Sequence, residues 1–281
     1  FAHHETTQEG ERQLWAVPLE AHFSDGGAGT NVTGAVLGVD FLWGETQTAV
    51  YAAMVHMETS AGPEHGTSRG EGIGLGGKFG RTFASGLRFE GQLRGGVYSA
   101  ERSRTVELAQ SISRIKSDET VYALSGALRT GWLGTLGESE VEFFPHVLMT
   151  GTVLRTPTLT ESGTGALSIR RSFLHSAAAG AGLTVNVSAP SQFSDYAWNW
   201  SISIEWTREL TERAGNVSFG LAGTAGETAR SMDWPERNRL AGSVSLELLR
   251  KSGFSAALRL DGETMGSAHS AGAASAELRW T

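Results

Sequence analysis

Between Tyr196 and Trp206, large apolar side chains occupy alternate positions: Trp198, Trp200, Ile202, Ile204 and Trp206. The residues between them are small or polar: Asn199, Ser201, Ser203 and Glu205. A period of two belongs to a β-strand with one apolar and one polar face. In water, such a row of exposed tryptophans would be an adhesive patch. Against a bilayer it fits an apolar band flanked by aromatic girdles. One strand does not separate these settings, because the core face of a soluble sandwich strand reads the same way. What decides is whether the rest of the chain repeats the pattern.

The pattern recurs in about twelve segments. The first is predicted from Gln13 to Phe23, with Trp15, Val17, Leu19, Ala21 and Phe23 on the outer face and Glu20 on the inner. The second presents Ala35, Leu37, Val39, Phe41 and Trp43 outward; the third, less regular, presents Ala49, Tyr51, Ala53, Val55 and Met57. Later segments put Trp132, Trp198, Trp200, Trp206 and Trp280 on outer faces, as a girdle. The opposite faces carry Arg88, Glu90, Arg94, Glu142, Glu205, Glu247, Arg259, Glu277 and Arg279, which are predicted to line a lumen. Ser99 to Glu119 reads as a long polar loop. Thr211 to Asn238 is the longest connection, and alternation of Val217, Phe219 and Leu221 predicts a hairpin within it.

Three regularities favour lipid over a soluble core. The outer faces hold no Asp, Glu, Lys or Arg; a charge there would cost roughly 2–4 kcal/mol at the bilayer midplane. Connections alternate long and short, as in barrels with long external loops and short periplasmic turns. The strand number is even, which puts both chain ends on the short-turn side. A soluble sandwich or adhesin module explains the alternation but not this combination. The predicted fold is therefore all-β: a transmembrane, outer-membrane antiparallel barrel of about 12 strands over 13–281. Residues 1–12 are expected to be a linker or the end of a pore-spanning segment.

Composition agrees. No run of 18 apolar residues exists, so no membrane helix is predicted. Mean hydropathy is only −0.18, as expected where half of each strand faces a polar lumen. A net charge of −7 argues against a nucleic-acid partner. Without cysteine there is no disulfide framework and no thiolate metal site. Any signal peptide is expected upstream of Phe1 or already removed.

Two motifs mislead. Gly72-Ile-Gly74-Leu-Gly-Gly77 fits G-x-G-x-x-G, and Gly72 to Lys78 nearly fits a phosphate loop, but Phe79 stands where Ser or Thr is needed. The run sits inside a strand, where glycine marks curvature or close backbone approach. His3, His4 and Glu5 lack further ligands at metal spacing. No nucleophile elbow, zinc-protease motif or plausible triad is present. The chain is expected to be no enzyme and to use no metal or cofactor. The lumen carboxylates are expected to pair with cations across strands.

Four local patterns carry a family resemblance. They are Gly34-Ala-Val-Leu-Gly-Val-Asp40 before the turn at Gly44, Thr158-Leu-Thr-Glu161-Ser-Gly-Thr-Gly-Ala166-Leu-Ser, Arg237-Asn-Arg-Leu240-Ala-Gly242-Ser-Val-Ser-Leu, and the terminal Ala276-Glu-Leu278-Arg-Trp280. In order and spacing they resemble the C-terminal translocator barrel of autotransporters, the type V secretion proteins. The resemblance implies a monomeric barrel in the outer membrane of a Gram-negative bacterium, in contact with outer-membrane lipid and inserted by the barrel assembly machinery. It also implies an N-terminal passenger that the barrel anchors and helps export. Ala276, Leu278 and Trp280 then correspond to the family's assembly signal, although Thr281 follows where members usually end on the aromatic. A free-standing porin-like channel is the alternative within the membrane class.

Overall fold

The computed structural model describes residues 12–25, 28–60, 66–108, 111–136, 140–163, 166–171, 173–190, 196–224, 226–233, 237–250, 254–265 and 269–280. The predicted linker, apart from Arg12, lies outside the described residues, as do the side chains of Arg279 and Trp280. Twelve long strands form the wall. They are β1 (Arg12–Asp25), β2 (Ala28–Trp43), β3 (Thr46–Ser60), β4 (Thr67–Thr82), β5 (Leu87–Leu108) and β6 (Ser111–Trp132). They continue as β7 (Val141–Arg155), β8 (Leu174–Pro190), β9 (Tyr196–Glu209), β10 (Asn238–Arg250), β11 (Phe254–Met265) and β12 (His269–Trp280).

Each strand pairs antiparallel with its sequence neighbour, and β12 pairs with β1 to close the barrel. Closure leaves no edge strand in the wall. The seam joins Leu14 to Trp280 and Ala16 to Leu278, then skips Val17 and Pro18 before resuming at Leu19 and Ser275. Proline has no N–H to give to a ladder, and the skip falls at that residue.

Cross-strand partners share a face, so the ladders fix which side chains point inward. On β5, Glu90 opposes Gly80 and Arg129, while Leu93 opposes Gly77 and Gly126. The first set faces in and the second faces out. Carried around the barrel, this places Leu37, Val50, Met54, Leu75 and Ile202 on the outside, each more than half exposed. The outside also holds Trp43, Trp132, Trp198, Trp200 and Trp206.

Three sequence expectations are corrected here. Trp15 faces inward and is only 8 % exposed, whereas the outward residues of β1 are Leu14, Ala16 and Pro18. Glu20, expected in the lumen, lies on the outward parity, opposite Thr33 and Ala274. β3 is reversed in the same way: Ala49 and Tyr51 point in, and Val50 and Met54 point out. The physical reason is that both faces of these strands are apolar, so alternation alone leaves the choice open. Gly38, opposite Trp15, decides it. A Cβ on Gly38 would lie 2.2 Å from the indole ring, so the glycine's missing side chain is the space that Trp15 fills.

The two ends of the barrel differ. At one end Gly44–Glu45 links β2 to β3, and Phe83–Gly86 links β4 to β5. At the other, β5 and β6 continue as a paired ribbon to Leu108 and Ser111. Within the stretch expected to be a polar loop, 99–108 and 111–119 are thus strand, with exposed Glu101, Arg102, Arg114 and Lys116 and a buried Ile115. A second sheet of four short strands joins the ribbon at that end: Leu159–Thr160, Leu167–Arg171, Arg213–Leu221 and Thr228–Asp233. The last two form the expected hairpin.

Candidate functional site: the polar lumen

The inward faces are polar because the alternation that sends Trp, Leu and Ile outward leaves Ser, Asn, Glu and Arg between them. Together they enclose a cavity of about 970 Å³. Lys78, Glu90, Gln92, Arg129, Glu142, Glu205, Glu247, Arg259 and Glu277 line it. Among the described residues no group of three or more His, Cys, Asp or Glu side chains could hold a metal ion.

One charged network crosses five strands. Arg88 Nε donates to Glu90 Oε1 at 2.7 Å on β5. Arg129 on β6 donates to Glu90 Oε2 at 3.3 Å and, through its other terminal nitrogen, to Glu205 on β9. His146 on β7 brings Nε2 to 3.3 Å from Glu205 Oε1 and Nδ1 to 2.9 Å from the Phe144 carbonyl. The His146 ring stacks on Phe144 at 5.0 Å, and the Arg88 guanidinium lies 5.6 Å from the same ring. Between them, on β8, Gly182 leaves the contact open: a Cβ there would meet His146 Nε2 at 2.7 Å and Glu205 Cγ at 2.8 Å. Glu90 is 2 % exposed, and a carboxylate so buried is tolerable only when cations and donors surround it.

A second cluster covers β1 to β5. Trp15 Nε1 donates to Asp40 Oδ1 at 2.8 Å, and Lys78 Nζ lies 3.9 Å from that oxygen. The Lys78 ammonium also lies 5.3 Å from the Trp15 ring. Tyr51 is 6.2 Å from Trp15 and accepts a 2.6 Å hydrogen bond from Gln92 Nε2.

Of the residues expected to line the lumen, Arg88, Glu90 and Glu205 come together in the first network. Glu142, Glu247 and Glu277 border the cavity apart from it. Arg94 donates to Ser125 Oγ at 2.7 Å, and Arg259 donates to Asp261 at 2.7 Å. Sequence reasoning put Asp40, Lys78 and His146 on inner faces without naming them as site residues, assigned Trp15 and Tyr51 to the outside, and missed Arg129. Arg129 and His146 had a signal, because each falls on the polar parity of its strand.

At the ribbon end, Arg104 makes a two-pronged pair with Glu161, at 2.9 and 2.7 Å. The Leu167 amide donates to Glu161 at 2.9 Å. Burial alone would raise the Glu161 carboxyl, but these donors outweigh it and hold it below the usual glutamate range. Backbone bonds between Lys116 and Ser162 extend the join. Nearby, Ala214 borders a further cavity of about 590 Å³ with Arg94, Ser125, Thr150 and Thr152. The small sheet therefore roots over that end of the lumen.

The family model for the autotransporter β-domain matches residues 14–261. No relative among curated protein sequences matches. Among solved structures, the chain resembles the translocator domain of the autotransporter NalP from Neisseria meningitidis, with a TM-score of 0.75 and 13 % identity over 96 % of this chain and 88 % of that one. It resembles the β domain of the Bordetella autotransporter BrkA, with a TM-score of 0.66 and 12 % identity over 96 % and 99 %. The transport unit of AIDA-I from Escherichia coli aligns with a TM-score of 0.54 and 11 % identity over 100 % and 93 %.

Proposed function

This chain belongs to the autotransporter β-domain family and is an outer-membrane translocator domain for an N-terminal passenger; from that premise we propose that its polar lumen is the passenger's route outward. The observation that carries the reading is the closing pair of β1 and β12. Because Leu14 and Trp280 are partners, the chain enters β1 and leaves β12 at the same end, the end with the tight turns. In outer-membrane barrels short turns are periplasmic and long loops external. A segment preceding β1 that reaches the outside must therefore cross the lumen. A helix is about 10–12 Å wide with its side chains, and a barrel of more than eight strands is wider than side chains alone fill.

On this reading the barrel is a conduit and not a catalyst. It works as a monomer, since every wall strand already has two neighbours. Ala276, Leu278 and Trp280 on β12 serve as the signal read by the barrel assembly machinery of a Gram-negative host. Trp280→Ala should then lower outer-membrane levels more than it lowers the stability of barrels already formed; normal levels would remove that role.

The test of the route is accessibility. A protease-sensitive tag placed upstream of residue 12 should be cut from outside intact cells, while a tag inserted at 251–253, between β10 and β11, should stay protected. Deleting 1–11 should leave a barrel that conducts ions. If the upstream tag stays periplasmic in an inserted barrel, the domain is a free-standing channel instead.

A further inference from the structure

Where the outward apolar face ends on the external side, the charges are segregated around the barrel. On β1 and β3 to β6 the first outward charges are mostly acidic: Glu20, Glu58, Glu71, Glu101 and Asp118. Of the cations on the same parity, Arg69 is matched, with Nε 3.3 Å from Glu58, and Arg114 and Lys116 lie farther out on the ribbon, beyond Asp118; His56 on β3 sits beside Glu58 and Glu71. On β7 and β9 the sign reverses, and β8 between them carries a histidine. Arg155 lies opposite Tyr122, His175 opposite Val153, and Arg208 opposite Ala179, so all three point outward. All three are exposed. None makes an ion pair among the described residues. Each stands two residues beyond an apolar outward residue of its own strand: Val153, Ala177 and Trp206. Tyr122 and Trp206, both outward and about half exposed, flank the sector. Amphipathic aromatics of this kind sit at headgroup level.

We propose that this sector is a binding surface for phosphate-bearing lipid headgroups of the outer leaflet. Guanidinium forks match phosphate oxygens and remain charged at any physiological pH. Cations just beyond an acyl-facing surface gain from an anionic headgroup layer. The alternating outward face below them supplies the contact for the same lipid's chains, which a free phosphate ion or a soluble peptide would not use. The inference rests on the outer-membrane placement of the domain.

The test uses the full chain folded in a neutral detergent, with bisphosphorylated lipid A as probe. Bound lipid is counted by native mass spectrometry against lipid concentration. The wild type should hold bisphosphorylated lipid A well above the same lipid stripped of phosphate. Arg155→Gln with Arg208→Gln should weaken binding about thirtyfold, and Arg69→Gln should change nothing. Wild-type affinity in the double variant would overturn the proposal, as would equal binding of both lipids. Displacement of the lipid by millimolar inorganic phosphate would reassign the surface to a free anion. If the double variant does not fold, Arg155→Gln and Arg208→Gln are compared singly. Folding of the wild type in phosphatidylcholine vesicles is scored separately by its heat-dependent gel mobility. Failure there would strike the membrane reading, whereas normal folding with unselective lipid binding would strike only this surface.

Discussion

The indole N–H of Trp15 donates to Asp40 across the β1–β2 ladder, inside the wall, at 2.8 Å. Both groups are buried, Trp15 at 8 % and Asp40 at 1 % exposure. Removing the acceptor strands the indole N–H and takes an anion from beside Lys78. Asp40→Ala should destabilise the folded barrel by about 1–3 kcal/mol. Asp40→Asn, which keeps an acceptor oxygen, should cost less. Urea titration in vesicles measures both, and equal losses would show that the hydrogen bond is not what Asp40 contributes.

The face assignment on β9 is sharper still. Ile202 opposes Val185 and Val244 on the outside, and the neighbouring Ser203 donates to or accepts from Ser243 at 2.7 Å on the inside. Ile202→Arg should cost about 2–4 kcal/mol in a bilayer, while Ser203→Arg should be tolerated by the polar lumen. A depth-dependent quencher attached in the acyl region should report on position 202 and not on 203.

Gly182 holds the place where His146 meets Glu205. Besides those two side chains, a Cβ would press on the Ile204 carbonyl at 2.7 Å. Backbone does not yield cheaply, so Gly182→Ala should cost about 1–3 kcal/mol, as overpacking typically does. Gly262→Ala, with nothing within 4 Å of the added carbon, is the matched control. Comparable unfolding midpoints for the two variants would contradict the packing seen around β8.

The Arg104–Glu161 pair makes the external join sensitive to acid. Its carboxyl is held below its ordinary value, so its stabilising share is present above the unfolded-state value. That share is lost as pH falls through the depressed folded value. Limited proteolysis near 156–171 should therefore accelerate below the ordinary glutamate range while the wall stays folded. Glu161→Gln should show fast cleavage already at neutral pH and little further response to acid.

How much of this was legible beforehand depends on the strand. On β9 one face is Trp and Ile and the other Ser, Asn and Glu, so which residues share the apolar face is plain from the sequence alone. On β1 the sequence Leu14-Trp-Ala-Val-Pro-Leu19 is apolar throughout, and its direction is set by neighbours. The legible clue was indirect: glycines 34 and 38 on β2 and 72, 74 and 76 on β4 share one parity, emptying space that an inward Trp15 or Tyr51 can take. The ribbon of β5 and β6 was unreadable for a different reason. Outside the apolar band a strand no longer needs one greasy face, and antiparallel pairing together with the join to Glu161 and Ser162 holds 99–108 and 111–119 extended.

The seam has a consequence in time. Every other pair of long strands in the wall unites neighbours in the chain, and each can form soon after its second member is available. The pairing of Leu14 with Trp280 has to wait for nearly the whole chain. Contacts of such sequence separation carry the largest loop-closure cost and are reached late. Until then β1 and β12 both present unpaired backbone, which no lipid can satisfy. Closure is then the last pairing of the wall, and it is completed across a stretch where Pro18 leaves the ladder one donor short.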